Sequence, residues 1–237
     1  MVILGTVVNG VAIIAGSLIG TISSKIPERM KTTIMQGLAL VIVVIGLQMA
    51  MKSEQFLIVI GSLVLGGMLG EYWNLEGKLG KVGKWIERKT GATAEGSVAQ
   101  AFVTATLVYV VGAMAILGAL DSGLRNDHSI LYTKSLIDGF TAIIFTATLG
   151  YGVLFSAFPV MIYQGLIALF ASQINRFVPQ VLLDAFITEI TSAGGIMILA
   201  IGLNLLGIIK IRVANFLPAL LVAAGLVTLV HLAPSLF

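Results

Sequence analysis

Long apolar runs separated by short polar stretches make up most of the chain. A helix crosses the hydrocarbon core of a bilayer with about 20 mainly apolar residues, and its backbone groups bond to one another there. Such runs lie at residues 1–22, 33–51, 56–72, 98–120, 135–150, 152–172, 186–208 and 213–232. We therefore predict an all-α, polytopic transmembrane bundle of about eight helices. Gly150 and Gly152 suit a tight turn between the fifth and sixth helices.

The composition supports this class and excludes a water-soluble globule. Hydrophobic residues make up 58% of the 237 residues and charged residues only 11%, whereas soluble domains have about 25% charged residues. The mean hydropathy is +1.05. The chain has no cysteine and two histidines, and no enzymatic motif is present. We therefore predict a protein that is not an enzyme and has no cofactor.

The distribution of lysine and arginine predicts the orientation in the membrane, because cytoplasmic loops carry an excess of these residues. With eight spans, the inner side has Lys25, Arg29, Lys31, Lys78, Lys81, Lys84, Arg88, Lys89, Lys210 and Arg212. The outer side has Lys52, Arg125, Lys134 and Arg176. This bias predicts that both termini lie outside. Counting seven spans gives a weaker bias.

The longest loop, residues 74–97, has the pattern of an amphipathic helix. Leu75, Leu79, Val82 and Ile86 recur at helical spacing, and basic residues fill the other positions. Such a helix lies in the membrane interface with its cations facing anionic headgroups. It accounts for the basic sequence pI of about 9.2, so the predicted partner is the lipid bilayer and not a nucleic acid.

A weak internal repeat divides what we predict to be a single membrane domain, residues 1–237. Val43–Gln48 resembles Leu199–Asn204, and residues 16–19 and 23–26 resemble 164–167 and 171–174. Two repeats, 1–73 and 151–237, would then flank the linker 74–97 and the central helices 98–150. With eight spans they run in opposite directions, as in many secondary transporters. Chance similarity between apolar segments is the alternative.

Glycines at helical spacing predict close contacts between helices. Gly16 and Gly20, like Gly66 and Gly70, form the small-x-x-x-small pattern that lets backbones approach in lipid. This pattern serves packing within a bundle. It equally serves a homo-oligomer or a contact with another membrane protein, and the sequence leaves these alternatives open.

Polar residues inside the spans are the candidate functional residues, because each costs free energy in hydrocarbon unless it has a partner. Asn9 and Gln164 lie mid-span in the first and sixth helices, whereas Asn204 and Asn215 lie closer to helix ends. We predict that these four amides bind a substrate. The alternative is that they join helices through hydrogen bonds.

Two carboxylates complete the predicted substrate-binding set. Asp138 and Glu189 lie about one turn inside the fifth and seventh helices, near the outer face. Six acidic residues on that side, Glu54, Asp121, Asp127, Asp138, Asp184 and Glu189, would attract a cation. The structural alternatives are an i, i+4 pair of Asp138 with Lys134, and a water-exposed helix start for Glu189.

Several short segments together resemble one family. They are residues 112–118, 127–129, 134–135 with 138–141, 215–221, and Asn9 followed by 26–29. In this combination, over essentially the whole chain, the sequence resembles the YdfK/YqgA-like integral membrane proteins of bacteria, a family of unknown function. The resemblance implies a multi-pass protein of the bacterial cytoplasmic membrane. It suggests transport without naming a substrate, and it implies no catalytic residue.

Two functional hypotheses follow. The first is a secondary transporter or channel-like carrier for a small cationic or polar solute, with a site between the two helix triplets. Asn9 and Gln164 would line this site, and Asp138 and Glu189 would lie on its outer approach. The second is a non-transporting scaffold or sensor that binds other membrane proteins through glycine-rich helix faces.

Overall fold

The structure is a computed structural model that describes residues 1–22, 27–90 and 97–232. These residues form eleven α-helices and two 3₁₀ helices and no strand, which confirms the all-α expectation. The helices are α1 Leu4–Ile22, α2 Glu28–Ala50, α3 Phe56–Trp73, α4 Leu75–Thr90, α5 Ser97–Val110, α6 Ala113–Arg125, α7 Ser129–Leu149, α8 Ala157–Leu169, α9 Ala171–Phe177, α10 Gln180–Leu205 and α11 Pro218–Leu232. The 3₁₀ helices are Tyr151–Ser156 and Val213–Phe216. Lys25, the repeat segment 23–26 and linker residues 91–96 lie outside the described residues.

In the described ranges, seven helical segments are long and apolar enough to cross a membrane. An eighth candidate span is the pair α5–α6, whose axes bend by 61° at the break between them. The expectation of one continuous helix over residues 98–120 is therefore wrong. The break contains Gly112 at φ +144°, a backbone conformation that glycine alone adopts without strain.

Two other spans begin earlier than predicted. α7 begins at Ser129, so Lys134 and Asp138 lie well inside the helix, and α10 begins at Gln180. Both charged residues are buried, although the predicted apolar run, residues 135–150, begins only after Lys134. The predicted turn at Gly150 is present, and its φ of +102° again requires glycine.

The chain divides into two compact units. The first contains Met1–Met35, Lys78–Val110 and Met114–Ile174. In it, α1 packs along α7 and also contacts α8, while α5 packs against the 3₁₀ helix Tyr151–Ser156. A Cβ added to Gly16 or Gly20 would stand within 2.5 Å of an α7 carbonyl oxygen, that of Gly139 or of Ile143. This predicted glycine motif therefore serves packing within the unit.

The second unit contains Gln36–Gly77, Val111–Ala113 and the chain from Asn175 onward. In it, α11 packs against α3 and α10. Gly66 lies against the backbone of Ala219, and Gly70 lies against the backbone of Asn215. The second glycine motif thus also serves helix packing, here within the second unit.

Helix directions within each unit indicate how many times the chain crosses the membrane. In the first unit Gly5 lies against Leu131 and Gly16 against Gly139, so α1 and α7 run parallel. Parallel spans need an odd number of crossings between them, namely α2, α3 and the α5–α6 pair. In the second unit α3 and α11 run antiparallel, which requires the same count. The bent pair therefore counts as one crossing, which gives eight candidate spans within the described residues.

The linker helix is present as α4, as its pattern predicted. Its basic side chains, Lys78, Lys81, Lys84, Arg88 and Lys89, are exposed. Ile86 is buried against Val98 and Phe102 of α5. The apolar face of α4 therefore packs at least partly on protein.

Candidate functional site

A network of four polar side chains lies inside the first unit, where α1, α7 and α8 meet. The Asn9 Nδ2 group donates to Asp138 Oδ2 at 3.1 Å and to Gln164 Oε1 at 3.3 Å. Lys134 Nζ lies 2.9 Å from Asp138 Oδ1 and 2.8 Å from Oδ2. The network joins three of the six predicted site residues and adds a lysine. Its members are separated by up to 155 positions in sequence.

The network is almost completely shielded from solvent. Asn9 and Gln164 are 0% exposed, Asp138 is 4% exposed and Lys134 is 7% exposed. Its position differs from the prediction in two ways: Asn9 lies in the second turn of α1 rather than mid-span, and Asp138 lies near the middle of α7 rather than one turn inside it. Asp138 therefore belongs to the network itself.

The two amides in the network are incompletely hydrogen bonded. Asn9 Oδ1 and Gln164 Nε2 are both buried and have no hydrogen-bond partner among the described residues. One is an acceptor and the other a donor. Unpaired buried polar atoms cost about 1–3 kcal/mol each, so this pair needs an explanation beyond helix packing.

The other buried carboxylate, Glu189, has different partners. Its Oε2 accepts from Ser53 Oγ at 2.6 Å, and its Oε1 accepts from the backbone N–H groups of Glu54 and Gln55 at 3.0 and 3.1 Å. These N–H groups precede α3, where a helix leaves donors unsatisfied and favours negative charge. Glu189 thus caps α3. The structural alternative of a water-exposed helix start does not apply, because Glu189 is 2% exposed.

The remaining predicted amides bond mainly to backbone groups of the second unit. Asn204 binds both the N–H and the carbonyl of Ile211 at 2.7 Å, which closes the loop after α10. Asn215 Oδ1 accepts from Glu76 N–H at 2.8 Å, and its Nδ2 donates to Glu71 Oε2. Asn215 also lines an open cavity of about 400 Å³, together with Glu71 and Arg212.

In the part of the chain that the structure describes, no group of three or more His, Cys, Asp or Glu side chains could hold a metal ion.

Comparison with known proteins gives the family. The family described as "Protein of unknown function (DUF554)" matches residues 4–228. The chain belongs to the DUF554 family. Two relatives match this chain nearly end to end. "Uncharacterized membrane protein YdfK" of Bacillus subtilis is 34% identical over 232 residues, 96% of each chain. "Uncharacterized protein YqgA" of Escherichia coli is 29% identical over 229 residues, 94% of this chain and 96% of YqgA. No solved structure matches the chain significantly.

In this DUF554 protein, Lys134 is the member of the network that the sequence pattern does not predict as a site residue. It was counted among the outer loop cations and considered only as a structural partner of Asp138. The i, i+4 spacing of Lys134 and Asp138 was the available signal. Ser53, which donates to Glu189, carried no sequence signal, because it lies in a loop far from its partner.

Proposed function

We propose that this DUF554 protein is a secondary transporter or channel-like carrier for a small cationic or polar solute across the bacterial cytoplasmic membrane. One observation carries the proposal: Asn9, Lys134, Asp138 and Gln164 meet within an apolar helical unit. Polar groups that are buried among membrane-spanning helices cost free energy and typically mark substrate or ion pathways. The proposal includes no catalytic step.

The contact between α2 and α10 supports the inverted repeat that accompanies this proposal. A Cβ on Gly46 would meet the backbone N of Leu199 and the carbonyl O of Gly195. A Cβ on Gly202 would meet the backbone N of Val43 and the carbonyl O of Ala39. In the two similar segments Gly46 corresponds to Gly202 and Val43 to Leu199, and the same offset pairs Ala39 with Gly195, four residues before each segment. Exchanging the segments therefore reproduces the contacts, as a twofold axis would.

The relative direction of α2 and α10 at this contact also supports an inverted repeat. Residue numbers rise along α2 as they fall along α10, so the two related helices are antiparallel. Repeats related by a twofold axis in the membrane plane have this arrangement, and secondary transporters place their sites at repeat interfaces near the bilayer centre.

Transport is tested by flux into proteoliposomes that contain the purified protein. The probes are sodium, methylammonium, glycine and urea, and empty liposomes give the background. We expect saturable uptake of at least one probe and its loss in Asn9→Leu. Gln100→Leu, an exposed amide on α5, is the matched control and should keep wild-type uptake. A folded protein without flux for any probe contradicts transport.

We also propose that both termini lie outside, from the excess of basic residues in the inner loops. The chain has no cysteine, so single cysteines can be labelled without background. In intact cells, a membrane-impermeant maleimide should label Lys52→Cys and leave Lys84→Cys unlabelled until the cells are opened. The reverse pattern contradicts this orientation.

A non-transporting scaffold is the second candidate, and the complete burial of Asn9 and Gln164 favours it. A static bundle needs no access to these groups. The scaffold predicts no flux and copurification of one membrane partner at fixed stoichiometry, or of a second copy as a homo-oligomer. Flux that depends on Asn9 excludes it as the main function.

A further inference from the structure

The polar network in the first unit carries no net formal charge. Lys134 lies within 3 Å of both carboxylate oxygens of Asp138, and both side chains are buried. Among the described residues, neither forms an ion pair with a third charged side chain. The positive and negative charges are therefore balanced inside the protein before any ligand enters.

A charge-balanced pair is a poor site for a cation. An ion that leaves water for a buried position loses several kcal/mol of hydration, which only a nearby opposite charge offsets. Near Lys134 and Asp138 an entering cation is repelled by one group about as strongly as it is attracted by the other. The loss of hydration then remains without compensation.

The unpaired amide atoms indicate what the network does accommodate. Asn9 Nδ2 is fully used by Asp138 and Gln164, whereas Asn9 Oδ1 and Gln164 Nε2 have no partner among the described residues. The first needs a hydrogen-bond donor and the second an acceptor. A metal cation has no acceptor for Gln164 Nε2, whereas a ligand that pairs with both unpaired amide atoms must carry both a donor and an acceptor.

We infer that the ligand of this network is a small solute without net charge, either uncharged or zwitterionic, that carries both a donor and an acceptor. Lys134 is the specificity-determining residue, because it neutralises Asp138 and thereby excludes cations. This inference rests on the proposed transport function and narrows its substrate class from cationic or polar to net-neutral.

The charge balance is tested by thermal unfolding in detergent, independently of transport. The variants are wild type, Lys134→Gln and the double variant Lys134→Gln/Asp138→Asn, each in sodium, methylammonium or choline chloride at equal ionic strength. Only Lys134→Gln leaves an uncompensated carboxylate. Its Tm should rise in sodium or methylammonium relative to choline, by about 3 °C or more at ten times the Kd. Lys210→Gln, an exposed lysine, should behave as wild type.

An equal cation response in wild type and Lys134→Gln overturns the inference. If Lys134→Gln does not fold, Asp138→Asn gives the complementary measurement. It leaves Lys134 uncompensated, so its Tm should rise in chloride relative to gluconate while that of wild type does not. The absence of this difference also overturns the inference.

Flux separates this inference from the proposed function. Wild type should take up glycine or urea in preference to methylammonium, and Lys134→Gln should shift this ratio at least tenfold toward methylammonium. Wild-type preference for methylammonium overturns the inference and leaves transport intact. No flux for any probe, with the Tm pattern retained, removes transport and keeps the charge-balanced site.

Discussion

The two units of the molecule use buried polar side chains differently. In the first unit, Asn9, Lys134, Asp138 and Gln164 bond to one another across three helices, and two amide atoms remain unpaired. In the second unit, Glu189 bonds mainly to backbone N–H groups and to one serine at the start of α3. Both arrangements are buried, so burial alone does not distinguish them.

The difference lies in what the side chain satisfies. Helix ends and loops leave backbone donors and acceptors unpaired, and Glu189 and Asn204 bond to such groups just before α3 and in the loop after α10. Their presence follows from the fold. The network of the first unit completes no helix end, since its side-chain bonds run only between side chains. The free-energy cost of burying these side chains is not offset by bonds to the backbone, so the network is the better candidate for a functional site.

The largest effect should come from breaking the buried ion pair of the first unit. Lys134→Met leaves the Asp138 carboxylate buried without its cation, which typically costs about 3–5 kcal/mol. We expect a loss of this size in the free energy of unfolding, measured by titration with a denaturing detergent in mixed micelles. Lys134→Met/Asp138→Leu should recover most of it, because a well-packed apolar pair replaces both charges.

An exposed ion pair in the second unit is the matched control. Arg212 and Glu71 form a salt bridge with side chains 66% and 59% exposed. Exposed pairs contribute about 0–1 kcal/mol, so Arg212→Met should change the free energy of unfolding by no more than that. Equal losses for Lys134→Met and Arg212→Met would contradict the special status of the first unit's network.

The next effect concerns the glycines at the α2–α10 contact. Gly46→Ala and Gly202→Ala place a Cβ within 3 Å of partner backbone atoms, which forces the helices apart and typically costs about 1–3 kcal/mol. The related contacts predict similar losses for the two variants in the same unfolding titration. Gly37→Ala, with no atom within 4 Å of the new Cβ, should be neutral or stabilising. Unequal losses at Gly46 and Gly202 would weaken the case for a repeat.

A smaller effect separates the helix cap from the proposed binding network. Glu189→Gln keeps one acceptor oxygen for the N–H groups before α3 but removes the charge, so we expect a loss of about 1 kcal/mol in unfolding free energy. Substrate selectivity in the flux assay should stay unchanged, because the cap is not part of the network. A change in selectivity without a change in stability would instead assign Glu189 to the substrate.

The sequence could predict much of this fold but only part of the site. The lengths of the apolar runs predict the bounds of α3 to within one residue, because the bilayer thickness sets the length of a membrane span. The start of α7 was placed too late, because an average over residues treats Lys134 as a charge that ends a span. In the structure its pairing with Asp138 one turn away removes that cost. Likewise, the break at Gly112 uses a φ of +144° that glycine permits, but a glycine in an apolar run does not by itself predict a break.

For the site residues, too, the local sequence pattern is predictable and the tertiary contacts are not. Asn9, Asp138 and Gln164 were identifiable because a polar group in an apolar run is costly by itself. Their mutual contact was not, because it depends on α1, α7 and α8 packing side by side. The cap by Glu189 was also beyond the sequence, since it joins α10 to the loop before α3 across 135 positions.

The smallest effect tests a local helix cap in the first unit, outside the spans. Asp127 Oδ1 accepts hydrogen bonds from the hydroxyl and the backbone N–H of Ser129 at the start of α7. These bonds, the hydroxyl first, lower the pKa of Asp127 from its ordinary value of 3.8. A lowered pKa in the folded state means that the stabilisation is complete above pH 3.8 and is lost as the pH falls through the folded value.

Tm should therefore differ slightly between wild type and Asp127→Asn near neutral pH, and the difference should vanish in acid. Ser129→Ala should raise the pKa of Asp127 toward 3.8 in a carboxyl ¹³C titration. A wild-type to Asp127→Asn difference that persists below the folded pKa would mean that Asp127 acts through its shape and not its charge.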